Sequence, residues 1–238
     1  MSKNEREQKI LELLEEHRFI SVDELSSRLY ISPSSIRRDL ISMQTRGLVV
    51  RNYGGVMLCE SRATAAPLSL RLETHKTEKK QIARLAASLL HDHMTVFLDS
   101  STTASYLVDH IAEHSAMTVI TNNLQTAMAL IERGVETYCL GGRALPSSTV
   151  TCGGYAEEML ENFHGDIFFF SSFALSDQGV ITDCTAEENA LRKKMLTRAD
   201  CRVFLCDSSK FRHMSTHRLC TVNDVEYCFY DTPPKIEL

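Results

Sequence analysis

Four short polar clusters each follow an apolar run: Asp99-Ser100-Ser101-Thr102-Thr103 after TVFL, Thr121-Asn122-Asn123 after MTVI, Gly141-Gly142 after ETYCL, and Asp207-Ser208-Ser209-Lys210 after RVFLC. Such clusters suit an anion, because successive backbone N–H groups and hydroxyls at the start of a helix favour negative charge. Lys210 can meet a phosphate or carboxylate from the opposite side. Taken alone, DSSTT is equally an ordinary helix-capping cluster. A second chemistry is carried by ISPSSIRRDLISMQTRGLVVRNYGGV, residues 31–56, which holds four arginines in a chain of net charge -5. Arginines neutralise DNA phosphates, and the first turn of a recognition helix presents side chains to base edges in the major groove. Ser34, Ser35, Arg37 and Arg38 occupy such a turn, followed by Arg51, Asn52 and Tyr53. Arg37 or Arg38 suits a guanine edge, and the two serines suit bases or phosphates. A solvated arginine-rich helix face in an unrelated helical domain would show the same spacing.

The elements that must position these groups follow from periodicity. Over residues 4–17, Ile10, Leu11 and Leu14 share one helical face and glutamates take the rest. Ser21 with Glu24 three residues later is a capping-box pattern, predicting a helix of about two turns that buries Val22, Leu25 and Leu29. Ser32 can cap a third helix whose first residue is Pro33; Ile36, Leu40 and Met43 face inward, and Gly47 is placed to end it. The extended run 48–51 and the Gly54-Gly55 turn predict a β-hairpin wing. The result is a winged helix-turn-helix. Between Leu25 and Gly55 stand five arginines and a single acid, Asp39.

Residues 58–75 lack strong periodicity, are rich in Ala, Ser and Thr, and contain Pro67. They read as a linker between an N-terminal domain (1–57) and a larger one (76–238). In the latter, a helix buries Ile82, Leu85, Ala86 and Leu89. Strands are predicted at TVFLD, MTVIT, ETYCL, DIFFFSS, RVFLCD and EYCFYD, with helices at 102–113, 123–133, 155–163 and 185–198. Alternating β and α with wholly apolar strands indicates a mostly parallel sheet covered on both faces. In such folds ligands sit beyond the carboxyl ends of the strands, where the four polar clusters lie.

Composition excludes several classes. With 43% hydrophobic and 24% charged residues, the chain is neither disordered nor, lacking an apolar run of about 20 residues, membrane-spanning. MSKNEREQKI has no signal-peptide core, so a cytoplasmic location is expected. Eight cysteines without a CxxC pair read as reduced core thiols. No cofactor is implied. His110 and His114, four apart on a helix with Glu113 to one side, lack the further ligands that zinc needs and read as solvent-exposed.

The run SPSSIRRDLISMQTRGLVVRNYGGV resembles the winged-helix signature of DeoR-type bacterial transcriptional regulators, with Ser35 where Thr is usual and Tyr53 in place of a wing histidine. The second half resembles the DeoR sensor domain through Ile82-Ala83, Leu98-Asp99-Ser100-Ser101-Thr102-Thr103, Thr121-Asn122, Gly141-Gly142 and Asp207-Ser208-Ser209-Lys210-Phe211, in the family's order. The resemblance implies a Rossmann-like sensor similar in fold to ribose-5-phosphate isomerase. It implies a non-enzymatic, oligomeric regulator, usually a repressor, that binds a DNA operator and senses a phosphorylated sugar or related metabolite. The effector residues would be Asp99, Ser100, Ser101, Thr102, Thr103, Thr121, Asn122, Gly141, Gly142, Glu188, Asp207 and Lys210. Three positions depart from the pattern: Ser101 replaces a glycine, Ser176 an expected carboxylate, and Arg192 a frequent lysine four residues after Glu188. The rival reading is a sugar-phosphate isomerase, which needs a positioned base drawn from Asp99, Asp177 or Glu188, with Lys210 available to stabilise an enediolate.

Overall fold

The computed structural model describes residues 2–17, 19–45, 48–52, 55–58, 68–145 and 148–234. It divides into two compact units, residues 1–70 and 71–238. In the first, three helices, α1 (Lys3–Glu16), α2 (Val22–Leu29) and α3 (Pro33–Thr45), are joined by the strands β1 (Ile20–Ser21), β2 (Val49–Asn52) and β3 (Gly55–Leu58). Ser2 and Glu5 close a reciprocal capping box at the start of α1, which the sequence reading did not anticipate. At α2 the Ser21 hydroxyl accepts from Glu24 N as predicted, while the Glu24 carboxylate pairs with Arg28 at 2.7 Å. Ser32 Oγ accepts from Ser35 N at 3.4 Å where α3 begins.

Ile36, Leu40 and Met43 are fully buried against Ile10, Leu14, Leu25, Val49 and Val56. Each such side chain contributes about 2 kcal/mol on leaving water. Strand β3 lies between β1 and β2, so the wing is stitched to the helices through Ile20 opposite Val56. A Cβ on Gly55 would stand 2.3 Å from the Phe19 ring and 2.6 Å from the Ile20 carbonyl, so this position admits no side chain. The predicted helix stop Gly47 and the turn residue Gly54 lie outside the described residues.

Helix α4 (Leu68–Glu73), inside the stretch read as linker, spans the division, and the second unit continues with α5 (Lys76–Ala86), β4 (Thr95–Leu98), α6 (Thr102–Ser105) and α7 (Val108–Ile111). It continues through β5 (Thr118–Thr121), α8 (Leu124–Ile131), β6 (Glu136–Cys139), β7 (Arg143–Leu145), β8 (Val150–Cys152) and α9 (Gly154–Leu160). Then follow β9 (Gly165–Phe170), β10 (Ala174–Leu175), β11 (Val180–Asp183), α10 (Ala186–Thr197), β12 (Ala199–Cys206), β13 (His217–Thr221) and β14 (Tyr227–Tyr230). The six predicted strands form one sheet in the order β14-β12-β9-β4-β5-β6, parallel at every pairing.

That order is Rossmann-like: the chain runs outward from β4 to β6, then restarts beside β4 at β9 and runs outward to β14. The reversal marks the place, beyond the carboxyl ends of β4 and β9, where sheets of this kind bind ligands in a crevice. Both faces of the sheet are covered. Val96 and Leu98 face Ile82, Ala83 and Ala86 of α5, whereas Phe97 faces Leu160 of α9 and Leu191 and Met195 of α10. Burial on both sides is why β4, β5, β9 and β12 read as apolar runs, whereas the edge strands β6 and β14 are partly exposed.

Two differences from the sequence reading stand out. The helix expected over 102–113 is broken into α6 and α7, because the bonds Tyr106 N to Thr103 O and Leu107 N to Ala104 O tighten the chain to a three-residue repeat. The hairpin β7-β8 and the antiparallel sheet β10-β11-β13 were not anticipated. The seven described cysteines are free thiols, and burial pushes those of Cys152, Cys184 and Cys220 up to about 12; Cys59 lies outside the described residues. No described helix is long and apolar enough to cross a membrane.

Candidate functional site

The parallel sheet brings the four polar clusters together, and hydrogen bonds link each to the next. Asn123 Nδ2 donates to Ser100 O at 3.4 Å, joining the β5 and β4 loops. Leu140 N donates to Thr121 O at 2.8 Å and Thr151 N to Asn122 O at 2.9 Å, joining β6 and β8 to β5. Ser171 N at the end of β9 donates to Asp99 Oδ2 at 3.3 Å, and Lys210 Nζ donates to Ser171 Oγ at 2.7 Å. The crevice therefore holds Asp99 to Thr103, Thr121, Asn122, Asp207 and Lys210 as one group, all buried except the half-buried Lys210. Gly142 has φ +138°, and a Cβ there would stand 2.6 Å from Cys152 O, so the Gly-Gly loop needs glycine at its second position. Gly141 is exposed with open space around it.

Arg192, noted only as a departure from the family's lysine, is the hub of this region. Its Nε donates to Asp99 Oδ2 at 2.8 Å, Nη1 to Asp183 Oδ2 at 2.8 Å, and Nη2 to Glu188 Oε2 at 3.2 Å. The guanidinium is 6% exposed. Neutral donors complete the cluster: Ser101 N on Asp99 Oδ1, Cys184 N on Asp183 Oδ1, Thr185 Oγ1 on Glu188 Oε1, and Ser100 Oγ on Glu188 Oε2. Every one of the six carboxylate oxygens accepts at least one hydrogen bond. Burial works against the charge of Arg192, but Asp183, Asp99 and Glu188 outweigh it and hold the guanidinium above its ordinary pKa. Burial also pushes the Asp99 carboxyl upward, against the pull of Arg192. A lysine could not fork to three carboxylates in this way.

The other two departures also have local explanations. Ser101, in ordinary extended backbone at φ -75°, caps α6 by accepting from Ala104 N. Ser176 Oγ accepts from Val180 N at 3.0 Å and staples the β10-β11 turn.

With Arg192 committed, the cation presented to the crevice is Lys210, whose side chain is 18% exposed and lies 3.6 Å from Asp207 Oδ2. Burial pushes the Asp207 carboxyl up, while Lys210 and the Ser209 hydroxyl outweigh it and hold it below its ordinary range. The buried Thr103 Oγ1 has no hydrogen-bond partner among the described residues. Sequence reasoning missed Lys79, a buried lysine on α5 whose Nζ donates to Arg71 O. Burial, reinforced by Lys210, lowers its pKa to about 8. A signal was present: Lys79 stands three, four and seven residues before Ile82, Ala83 and Ala86, on the face that faces inward. Asp183 was missed as well, although it ends the apolar run VIT as Asp99 ends TVFL.

His114 Nδ1 lies 3.1 Å from Asp92 Oδ1, and both His110 and His114 are half-buried rather than fully exposed. Among the described residues no group of three His, Cys, Asp or Glu is arranged to hold a metal ion.

In the first unit Ser34, Arg37 and Arg38 are exposed on α3 and Ser35 is half-buried. The hydroxyls of Ser34 and Ser35 each lie 3.0 Å from Ser32 Oγ. Arg51 is exposed on β2, and Asn52 ends that strand; Tyr53 lies outside the described residues. The acid of this region, Asp39, is buried and turned away from that face, with its two oxygens 2.6 and 3.0 Å from the guanidinium of Arg6 on α1. No carboxylate of a described residue pairs with Arg37 or Arg38. The result is a polar, positively charged face with no acid paired to it among the described residues.

Comparison with known proteins covers almost the whole chain. Residues 6–62 match the DeoR-like helix-turn-helix domain and residues 74–232 the DeoR C-terminal sensor domain. The chain is 32% identical to the HTH-type transcriptional repressor GlcR of Bacillus subtilis, covering 98% of this chain and 90% of the relative. It is 26% identical to the glycerol-3-phosphate regulon repressor of Escherichia coli, covering 100% of this chain and 94% of the relative. Among solved structures, eIF2B delta of Chaetomium thermophilum matches with a TM-score of 0.50 at 13% identity over 70% of this chain and 60% of that one, a likeness of fold alone. Ribose 5-phosphate isomerase A of Methanocaldococcus jannaschii matches with a TM-score of 0.44 at 16% identity, over 58% and 55%.

Proposed function

The chain belongs to the DeoR family of transcriptional regulators, and from that premise we propose that its crevice takes a phosphorylated sugar or related metabolite, whose binding changes the affinity of the winged helix for double-stranded DNA. The observation that carries this reading is the position of Lys210, a partly exposed ammonium reaching from the loop after β12 to Ser171 at the end of β9, while Arg192 is sealed among carboxylates. Lys210 meets the phosphate; the backbone N–H groups and hydroxyls of residues 100–103, with the unpartnered Thr103 Oγ1, complete its coordination. Thr121, Asn122, Gly141 and Gly142 line the sugar side. Asp99 and Glu188 act as positioning residues, since protein donors already occupy their oxygens. The same occupancy removes Asp99 and Glu188 as free bases for an isomerase, and the third candidate, Asp177, is exposed and lies 3.5 Å from Arg212 Nε.

The protein acts as a repressor and at least a dimer, with Ser34, Ser35, Arg37 and Arg38 of two copies meeting two half-sites and Arg51, Asn52 and Tyr53 following the backbone. Effector occupancy must favour one of two states of the sensor to alter DNA binding. Lys79 supports a route: it is electrostatically coupled to Lys210 and Asp207 and holds the Arg71 carbonyl of α4, the segment that leads into the sensor.

A thermal-shift series with paired sugars and sugar phosphates tests the ligand class. A phosphorylated ligand at about 100 times its Kd should add about 2.7 kcal/mol of stability, and Lys210→Ala should remove most of that gain. Equal shifts by a sugar and its phosphate would refute the phosphate assignment. A ligand that stabilises the protein yet leaves its affinity for DNA unchanged would refute the switch.

A further inference from the structure

Helix α2 ends on Tyr30, whose backbone lies at φ 56°, ψ 43° in the left-handed region while its side chain is 95% exposed. The backbone conformation has a plain structural purpose. It lets Ile31 N donate to Ser26 O at 3.1 Å, closing the helix and aiming the chain into Ser32 and α3. Left-handed backbone is unfavourable for any L side chain and most of all for a bulky one, so glycine or asparagine is the ordinary residue at such a helix end. A ring this exposed adds almost nothing to the core. Its hydroxyl makes no hydrogen bond to any described residue. A large aromatic is thus held against local preference with no return inside the fold, a pattern that points outward, to a partner.

The surroundings say which partner. Two residues on, Ser32 is exposed and bonded to the hydroxyls of Ser34 and Ser35; the exposed Arg37 and Arg38 follow on the same helix, and the local acid Asp39 is turned inward. A phenol on the turn that leads into this positively charged helix offers a hydrogen-bond donor close along the chain to cations that attract a polyanion. We infer that Tyr30 is a DNA-contact residue whose hydroxyl donates to a phosphate oxygen next to the groove segment entered by α3. The inference rests on the DNA-binding reading. It adds a residue that positions the protein on the duplex without reading its sequence.

The test uses the full chain and a mixed-sequence duplex of about four helical turns, with affinity followed by fluorescence anisotropy across a salt series and stability by thermal melting. Tyr30→Phe and Tyr30→Gly should each weaken binding about tenfold, the loss expected for a hydrogen bond to a charged acceptor. Their salt dependence should stay that of the unaltered chain, because a phenol releases no counterion, whereas Arg38→Ala should lower the slope by about one. Tyr30→Gly should melt at or above the unaltered temperature, since glycine relieves the left-handed backbone. Unchanged affinity of Tyr30→Phe alongside binding by the unaltered chain overturns this inference alone. A lower melting temperature for Tyr30→Gly overturns it too, by assigning the ring to the fold. If the unaltered chain shows no salt-dependent binding, the DNA-binding reading falls and this inference with it.

Discussion

Arg38 on α3 and Arg192 on α10 are the same side chain in opposite settings. Arg192 is 6% exposed, with Asp99, Asp183 and Glu188 all within 3.2 Å of its nitrogens. Arg38 is exposed, and the acid next to it in sequence, Asp39, points inward to Arg6. A buried charge is tolerable only when fully partnered, and once partnered it has nothing left for a ligand. An exposed charge whose local acid has been withdrawn remains free for an external polyanion. The contrast separates architecture from recognition, and it supports the proposal that Lys210, rather than the enclosed Arg192, faces the ligand.

The largest test of that contrast is Arg192→Met, which leaves three buried carboxylates without their cation. The sensor should lose about 3–5 kcal/mol in urea unfolding. Arg192→Lys should fall between the mutant and the unaltered chain, because a single nitrogen cannot stand where the three guanidinium nitrogens each meet a different acid. If Arg192→Met unfolds like the unaltered chain, the contrast fails.

Lys79 sharpens it as an intermediate case: buried like Arg192, but with a backbone carbonyl as its bonded partner and a pKa lowered from 10.5 to about 8. Below about pH 8 both native and unfolded chains hold that proton, so the full cost of burying the charge is present. Between about 8 and 10.5 the native state releases it first, the unfolded chain binds more protons, and stability rises with pH. Lys79→Met should therefore be more stable at neutral pH by about 2 kcal/mol, after allowing for the lost bond to Arg71 O. The gap between the two chains should close across that alkaline window. Taking the difference cancels the buried thiols, whose raised pKa values lower stability at high pH in both chains.

Arg38→Ala gives the smallest change in stability, within about 0.5 kcal/mol by thermal melting, yet should weaken DNA binding about tenfold. A loss of stability comparable to that of Arg192→Met would place Arg38 in the architecture and erase the distinction.

Much of this was legible in the residues. The triad Ile36, Leu40 and Met43 marked the inner face of α3, and all three are fully buried. Each of the six predicted strands appears within a few residues of its expected bounds; for β4, β5, β9 and β12 the reason is that a strand covered on both faces must be largely apolar. The short strands β7, β8, β10, β11 and β13 were not legible: they have two to five residues, and tertiary pairing decides them rather than local pattern. The DSSTT loop was found as a polar cluster, but nothing in its spacing told that Asp99 would spend both oxygens on Ser101, Ser171 and Arg192.

Period and punctuation alone determined the helices of the first unit, the alternation of the second, and the ends of the strands where a ligand can sit, since those depend on neighbours close along the chain. Only the tertiary structure decided which charges are free. Arg192 meets an aspartate 93 positions away, and Asp39 turns to an arginine 33 positions away. Partnership across such separations depends on how the elements pack, and packing determines whether a cation serves the fold or remains for a ligand.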